Sequence, residues 1–162
     1  MPTYKIKEKF WSCGDDFAIK NAETDEDVFF VKGKVFSWGD DLTITDTDGN
    51  EVSHIKQKMM SLLPKYEIHK NGEKFADVQK KLSWMNQKFE LDVPGDNDYS
   101  IKGSFWKHDF NFERSGEVVA TVSKKVFSWS DAYSIEIVDG EDDVSILSTC
   151  IVIDQVLHDD HK

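Results

Sequence analysis

The sequence predicts a mainly β fold with one central helix, in which a closed antiparallel barrel of about twelve strands surrounds a C-terminal apolar α-helix. Two observations predict this fold. A short motif returns every 21 to 25 residues and divides the chain into six two-stranded units. The segment after Gly140 is apolar around nearly its whole helical circumference, which is typical of a helix with protein on every side.

The repeat is clearest in two segments of the chain. Residues 34–44 read Lys-Val-Phe-Ser-Trp-Gly-Asp-Asp-Leu-Thr-Ile, and residues 125–135 read Lys-Val-Phe-Ser-Trp-Ser-Asp-Ala-Tyr-Ser-Ile. Weaker copies cover residues 9–19 and 58–68. The first apolar anchors of the six units are Phe17, Leu42, Tyr66, Phe89, Phe110 and Tyr133.

Within each unit, apolar and polar residues alternate with period two, which indicates strands with one buried face. Turn sequences such as Asn71-Gly72 and Ser115-Gly116 separate the alternating segments. The pattern predicts strands at residues 3–11, 17–21, 28–36, 42–46, 51–60, 65–69, 74–83, 88–92, 98–104, 109–113, 117–127 and 132–138.

A meander of that many strands with one apolar face forms either two packed sheets or a closed ring, and only closure removes the edges. The C-terminal segment favours closure, because residues 143–157 read as a helix that needs apolar surroundings. Its β-branched residues leave a thirteenth strand as an alternative. A transmembrane helix is less favoured, since the apolar run is short and Asp154 interrupts it.

Length and charge limit the classes of protein. The 162 residues fit a single domain, 1–162, and the net charge of −11 repels nucleic acid and anionic membranes, so no nucleic-acid partner is expected. An anionic partner would have to meet a local basic patch. The two cysteines, Cys13 and Cys150, are expected to be idle thiols in a reducing, cytoplasmic setting, with a disulfide between them as the alternative.

Lysines recur on the second strand of each unit. They follow a valine or isoleucine in boxes such as Val31-Lys-Gly-Lys34 and Ile55-Lys-Gln-Lys58. If the first residue of each box faces the core, the second and fourth face outward. The lysines at the fourth position would then form an interrupted basic girdle able to attract lipid phosphates. They are Lys34, Lys58, Lys81 and Lys125. The competing interpretation is that these lysines are solvated and pair with nearby carboxylates.

No catalytic, metal or cofactor site is predicted. The run from Asp46 to Glu51 resembles a calcium loop, but a turn accounts for it better, because the glycine is too early for an EF-hand and Gln57 occupies the closing position. The acidic pairs have local structural uses. The His158–His161 segment lies at the C-terminus, where a dedicated metal site is not expected. The five tryptophans are expected to pack at strand ends rather than to form an aromatic belt at an interface. They are Trp11, Trp38, Trp84, Trp106 and Trp129.

Several segments together resemble the LURP-one-related family of tubby-like proteins. They are Tyr4-Lys-Ile-Lys-Glu-Lys-Phe10, the Lys-Gly-Lys-Val-Phe-Ser-Trp run from Lys32, residues 55–68, Gly103-Ser-Phe-Trp-Lys-His-Asp-Phe110, and residues 122–129 followed by 139–143. The resemblance spans essentially the whole chain. It implies the tubby-like fold, a twelve-stranded barrel around a central hydrophobic helix, with phospholipid scramblases as more distant relatives.

The resemblance also bears on function. Tubby domains bind phosphoinositides through basic residues on the barrel, although no tubby ligand residue can be aligned with this chain. The sequence analysis therefore predicts a non-catalytic cytoplasmic module that recognises anionic phospholipid headgroups or lies peripherally at the membrane. The alternative is a protein-interaction or regulatory scaffold with a protein partner and no lipid ligand, and an unrecognised enzyme is the more distant one.

Overall fold

A computed structural model describes residues 2–7, 17–36, 39–58, 65–81, 88–92, 98–105, 107–124 and 132–159, with the backbone alone described at residues 7, 34–36, 39–40, 80–81, 88–92 and 157–159. In chain order, the strands are β1 (Thr3–Lys7), β2 (Phe17–Asn21), β3 (Asp27–Phe36), β4 (Gly39–Asp46), β5 (Glu51–Lys58), β6 (Lys65–Lys70), β7 (Glu73–Lys81), β8 (Lys88–Asp92), β9 (Tyr99–Ser104), β10 (Asp109–Arg114), β11 (Glu117–Ser123) and β12 (Ala132–Ile137), and the helix is α1 (Asp143–Asp159).

Each strand pairs antiparallel with its neighbour in the chain, and β1 pairs with both β2 and β12. The order β1-β12-β11 and onward to β2 therefore returns to its start as a closed barrel. Thr3–Lys7 lies opposite Ala132–Glu136 at the closing ladder. The predicted mainly β architecture with a C-terminal helix is confirmed in the described residues.

Alternation within the strands follows from the apolar interior. In β5, Ser53 and Ile55 are buried while Lys56 and Lys58 are exposed, and Tyr66 and Ile68 of β6 are buried in the same way. The first residue of each described lysine box faces the core as predicted. Two of the described strands depart from period two. In β11, a bulge between Phe112 and Glu113 in the β10–β11 ladder turns Val119 inward next to Ala120 and leaves Val118 exposed, and in β12 residues 132–135 are all buried.

The two ends of the barrel differ. We call the end that holds the turns at 22–26, 47–50, 71–72 and 115–116 the turn end, and the opposite end, where β1, β3, β5, β7, β9 and β11 finish, the loop end. At the turn end, Asn71 (φ 53°) and Gly72 (φ 78°) both adopt positive φ, as do Ser115 and Gly116. Two consecutive residues of this kind make a two-residue hairpin turn whose twist matches that of the strands.

Helix α1 enters the barrel at the turn end and runs toward the loop end. Residues 145–156 are all buried, so the predicted buried helix at 143–157 is confirmed and the thirteenth strand is wrong. Contacts to widely separated strands hold it inside the ring: Ser148 Oγ lies 2.9 Å from Ser53 Oγ of β5, and Asp154 bonds to Tyr133 of β12. Among the described residues, no helix is long and apolar enough to cross a membrane.

Three consecutive acids tie the start of α1 to three sides of the barrel. The Tyr4 hydroxyl donates to Asp143 Oδ2 (2.6 Å), Lys70 donates to Asp142, and Arg114 Nη1 donates to Glu141 Oε2 (2.8 Å). The sequence predicted only a local structural use for acidic runs such as this one. The structure shows that each also fixes the helix to a different strand, which sets how the helix is oriented within the ring.

These contacts predict a loss of stability at alkaline pH. Burial, followed by the neighbouring carboxylate Glu141, raises the pKa of Tyr99 to about 12, and burial and Asp143 raise the pKa of Tyr4 further. Below the ordinary phenol value of 10.0 both tyrosines are neutral in the folded and unfolded states. Above it only the unfolded chain ionises, so the free energy of unfolding should fall as pH rises from about 10 toward 12. Urea unfolding measured at successive pH values checks this.

The matched variants are Tyr4→Phe and Tyr99→Phe, which remove the ionisable group and retain the ring. Each variant should have a lower free energy of unfolding than the parent at neutral pH. That free energy should then fall by less than in the parent between neutral and alkaline pH. An alkaline loss equal to that of the parent would show that these tyrosines do not cause it.

Candidate functional site

A buried polar cluster at the loop end joins the helix to the barrel. Asp154 of α1 accepts a hydrogen bond from the Tyr133 hydroxyl through Oδ2, and its Oδ1 lies 3.0 Å from His108 Nε2. The histidine ring donates here, since a carboxylate can only accept. The His108 and Tyr133 rings are stacked, with centroids 4.3 Å apart and an interplanar angle of 19°. This cluster explains how a helix surrounded by apolar residues accommodates a carboxylate.

Local backbone geometry places His108 in this cluster. It has φ 50° in the tight connection between β9 and β10, and its N–H donates to the Phe105 carbonyl oxygen (3.1 Å). Gly103 (φ 141°) lets the two strands approach, because a Cβ there would lie 2.5 Å from the Asp109 carbonyl oxygen. The neighbouring Lys107 is exposed at the loop end.

The chemistry of this cluster is structural rather than reactive. Asp154 and His108 are 7% and 8% exposed, so a substrate does not reach them from solvent without displacing packed groups. Burial, followed by the charge of Asp154, raises the pKa of the free Cys150 thiol, which therefore stays protonated. The pairing of Cys13 lies outside the described residues.

The four lysines of the predicted girdle are described to different extents. Lys58 is the last residue of β5, and its exposed side chain lies 3.2 Å from Glu67 Oε2. Lys34 and Lys81 lie at the loop-end termini of β3 and β7, where only their backbone is described. Lys125 lies outside the described residues, as do all five tryptophans considered above. The structure thus places three of the four at one end of the barrel.

Three pairs of lysines in the described residues stand directly opposite each other across adjacent strands, and one of them, Lys5 of β1 and Lys20 of β2, is balanced by Asp25 and Asp27. Lys58 of β5 pairs with Lys65 of β6, and Lys81 of β7 pairs with Lys88 of β8. Like charges directly opposite in an antiparallel pair are destabilising. The pairs Lys58–Lys65 and Lys81–Lys88 both lie at the loop end, so lysines are concentrated there.

Most of the described wall lysines pair with carboxylates, whereas several loop-end lysines do not. On the wall, Lys20 lies 2.8 Å from Asp27, Lys74 lies 2.9 Å from Asp77, and Lys102 lies 3.3 Å from Glu113. These pairs agree with the solvated, carboxylate-paired interpretation. In contrast, Lys56, Lys65 and Lys107 form no ion pair with any carboxylate in the described part of the chain.

Glu67 shows how the wall is neutralised. It lies outward on β6 and faces Lys58 and Lys74, at 3.2 and 3.5 Å. Burial alone would raise the pKa of this carboxyl, but hydrogen bonds from Lys58 and His69 and the charges of the two lysines hold it below its ordinary value. The Glu67 carboxylate therefore pairs with two lysines, whereas Lys65, on the same strand, pairs with no described carboxylate.

The turn from Asp46 to Asn50 confirms the structural interpretation of that acidic run. Asp46 Oδ1 accepts the backbone N–H groups of Asp48 and Asn50, both at 2.9 Å. The Asn50 bond is the largest influence on this carboxyl and lowers the pKa of Asp46. Its oxygens are thus committed to the turn. Among the described residues, no group of three potential metal ligands comes together.

A family model and one curated protein match nearly the whole chain. The model of the LURP-one-related family matches residues 2–154. The chain belongs to the LURP-one-related family. Among the similar proteins is Bacillus subtilis (strain 168) YxjI, described as uncharacterized, which is 37% identical over 155 residues covering 96% of this chain and 93% of that protein.

The fold of this LURP-one-related chain also matches a solved structure. An X-ray structure of a protein from Arabidopsis thaliana superposes with a TM-score of 0.68 over 97% of this chain and 91% of that one, at 16% sequence identity. At that identity the likeness concerns the fold alone. The family prediction drawn from the sequence motifs is confirmed.

The sequence analysis missed part of the site in this LURP-one-related protein. Lys65 and Lys88 begin their strands and therefore lie outside the repeated boxes, and Lys107 lies in a turn. Their relation to Lys58 and Lys81 depends on cross-strand register. A signal was present in the sequence, since Lys58 and Lys65 flank the predicted connection between two strands.

Proposed function

We propose that this LURP-one-related protein is a non-catalytic binding module that holds anionic phospholipid headgroups at the loop end of its barrel. It acts as one domain over residues 1–162, at the cytoplasmic surface of a membrane. The observation that carries the proposal is that two pairs of opposed lysines, Lys58–Lys65 and Lys81–Lys88, lie at the same end of the barrel.

The physical argument rests on like charge that the described carboxylates balance only in part, since Glu67 pairs with Lys58 but not with Lys65. Each opposed pair destabilises the sheet by a few tenths to about 1 kcal/mol in the absence of a counter-charge. An anion placed between the lysines reverses the sign of that interaction. Because the whole molecule carries a net charge of −11, attraction to an anion is confined to this end and should weaken as salt screens it.

The test removes the predicted girdle with the quadruple change of Lys34, Lys58, Lys81 and Lys125 to Gln. Each lysine near an anionic surface contributes about 1 kcal/mol, so binding should weaken by roughly a thousand-fold. Stability should stay within about 2 kcal/mol, at about ±0.5 for each surface change. Co-sedimentation with phosphatidylcholine vesicles, with and without phosphatidylserine or a phosphoinositide, measures binding at low and moderate salt, and thermal melts measure stability.

A matched control carries the same loss of charge elsewhere. Lys5, Lys20, Lys74 and Lys102 each form an ion pair with a carboxylate on the wall or at the turn end, and all four change to Gln. This control should bind vesicles nearly as well as the parent. Absence of binding by the parent, or an equal loss in both quadruple variants, would contradict the proposal and favour the protein-interaction scaffold.

A further inference from the structure

We propose that the barrel meets the bilayer end-on, with the loop end against the lipid headgroups and the axis of α1 close to the membrane normal. This inference rests on the proposed function and adds the orientation and the form of the ligand. The ligand is an extended anionic lipid surface rather than a single phosphate group.

Acidic residues are concentrated at the turn end. The described acids in its turns and adjoining strand ends are Glu23, Asp25, Glu26, Asp27, Asp46, Asp48, Glu51, Glu73, Asp98, Glu117, Asp139, Glu141, Asp142 and Asp143. The described basic residues at that end are Lys5, Lys20, Lys70, Lys74 and Arg114, and each of them is paired with a carboxylate. The turn end therefore carries a large net negative charge.

The loop end has the opposite composition. Its described lysines are Lys7, Lys34, Lys56, Lys58, Lys65, Lys80, Lys81, Lys88, Lys107 and Lys124, and its described acids, which are fewer, are Asp40, Asp41, Glu67, Asp109, Asp154 and Asp159. The charge of the molecule is thus polarised along the barrel axis. This polarity is invisible in the total of −11 and follows from the direction in which each strand runs.

The polarity selects one orientation at an anionic surface. Strands of six to ten residues such as β6 and β3 span roughly 20–33 Å at about 3.3 Å per residue. The Debye length at physiological salt is about 8 Å, so acids at the turn end are screened from a surface that touches the loop end. The inverted orientation would press those acids against the lipid, where they are repelled. A side-on orientation offers mainly lysines already paired with carboxylates.

The spread of the lysines indicates a surface rather than a small ligand. They lie on β3, β5, β6, β7 and β8, which with the intervening β4 make six adjacent strands; strands lie about 4.8 Å apart, so the array extends roughly 24 Å around the barrel. One phosphate group cannot contact lysines across that distance. A row of headgroups can. The anchoring of His108 to Asp154 places the exposed Lys107 at the same end of the barrel, outside this array.

Site-specific labels test the orientation. An environment-sensitive fluorophore is attached at Lys107→Cys (loop end), Lys32→Cys (wall) or Thr47→Cys (turn end), positions that are all exposed, in a Cys13→Ser background in which Cys150 is buried. The vesicles contain phosphatidylcholine and phosphatidylserine with a lipid-borne quencher. We expect strong quenching at position 107 and at least five-fold weaker quenching at positions 32 and 47. Thermal melts and co-sedimentation confirm that each labelled protein is folded and bound.

The outcomes separate the two proposals. Bound protein whose labels at 32 or 47 are quenched as strongly as the label at 107 overturns end-on binding and leaves lipid binding intact. Failure of the parent to sediment with anionic vesicles overturns both. Inorganic phosphate at matched ionic strength is the second probe: release of bound protein by phosphate beyond the effect of chloride overturns the extended-surface ligand, and equal release supports it.

Discussion

Replacing Ile151 with Asp is expected to abolish the cooperative unfolding transition of this protein. Ile151 is fully buried in the middle of α1, inside the closed ring of strands. An unpaired carboxylate there costs several kcal/mol, against a total stability of about 5–15 kcal/mol for a domain of this kind. Circular dichroism during a thermal melt measures the effect.

Val118→Asp provides a control with similar chemistry at the surface. Val118 is 46% exposed beside the bulge of β11, so the new carboxylate remains in water. It should change the free energy of unfolding by no more than about 1 kcal/mol, the range of strand propensity. A cooperative melt near the parent temperature for the Ile151 variant would refute the enclosed helix.

Replacing Asp154 with Ala is expected to cost about 2–6 kcal/mol, because each of two buried hydrogen-bond donors left without its acceptor costs about 1–3 kcal/mol. The change leaves the Tyr133 hydroxyl and His108 Nε2 without the carboxylate they share. Chemical denaturation of the purified variant measures the loss. Asp154→Asn, which keeps the shape and one acceptor oxygen, should lose less.

A double-mutant cycle assigns this loss to the contact itself. His108→Ala and the His108/Asp154 double variant complete the cycle, and the double variant should be more stable than the sum of the two single losses predicts. Strict additivity would mean that the two side chains do not act together. The cycle thus tests the link between the β9–β10 turn and the helix.

Burial explains why most of the fold could be predicted from the sequence. Strands whose side chains are described bury an apolar inner face, so alternation reports orientation, and the predicted strands 17–21 and 88–92 agree in their bounds with β2 and β8. Prediction failed where backbone pairing continues without apolar alternation. β4 begins at Gly39 instead of residue 42, because Gly39–Asp41 pair with Lys34–Phe36 although they are polar or lack a side chain.

The sequence predicted some lysines of the candidate site but not the lysines opposite them. Alternation within β5 predicted that Lys58 faces outward, and it does. The lysine opposite it depends on the register between strands, which bulges shift in the neighbouring β4–β5 and β6–β7 ladders. The partners of Asp154 were equally hidden, since Tyr133 and His108 lie 21 and 46 residues away and meet it only inside the ring.

The position of α1 in the chain has a consequence for biosynthesis. Helix α1 follows the twelve strands in the chain, and the ring closes only when β12 pairs with β1. The ribosome therefore synthesises the whole sheet before the helix that fills it. At roughly 5–20 residues per second, the nascent chain spends seconds with inward residues such as Ile19, Ile55 and Ile101 still uncovered. Chaperones that shield apolar β-surface should therefore associate with this protein mainly during that interval and release it once residues 143–159 emerge.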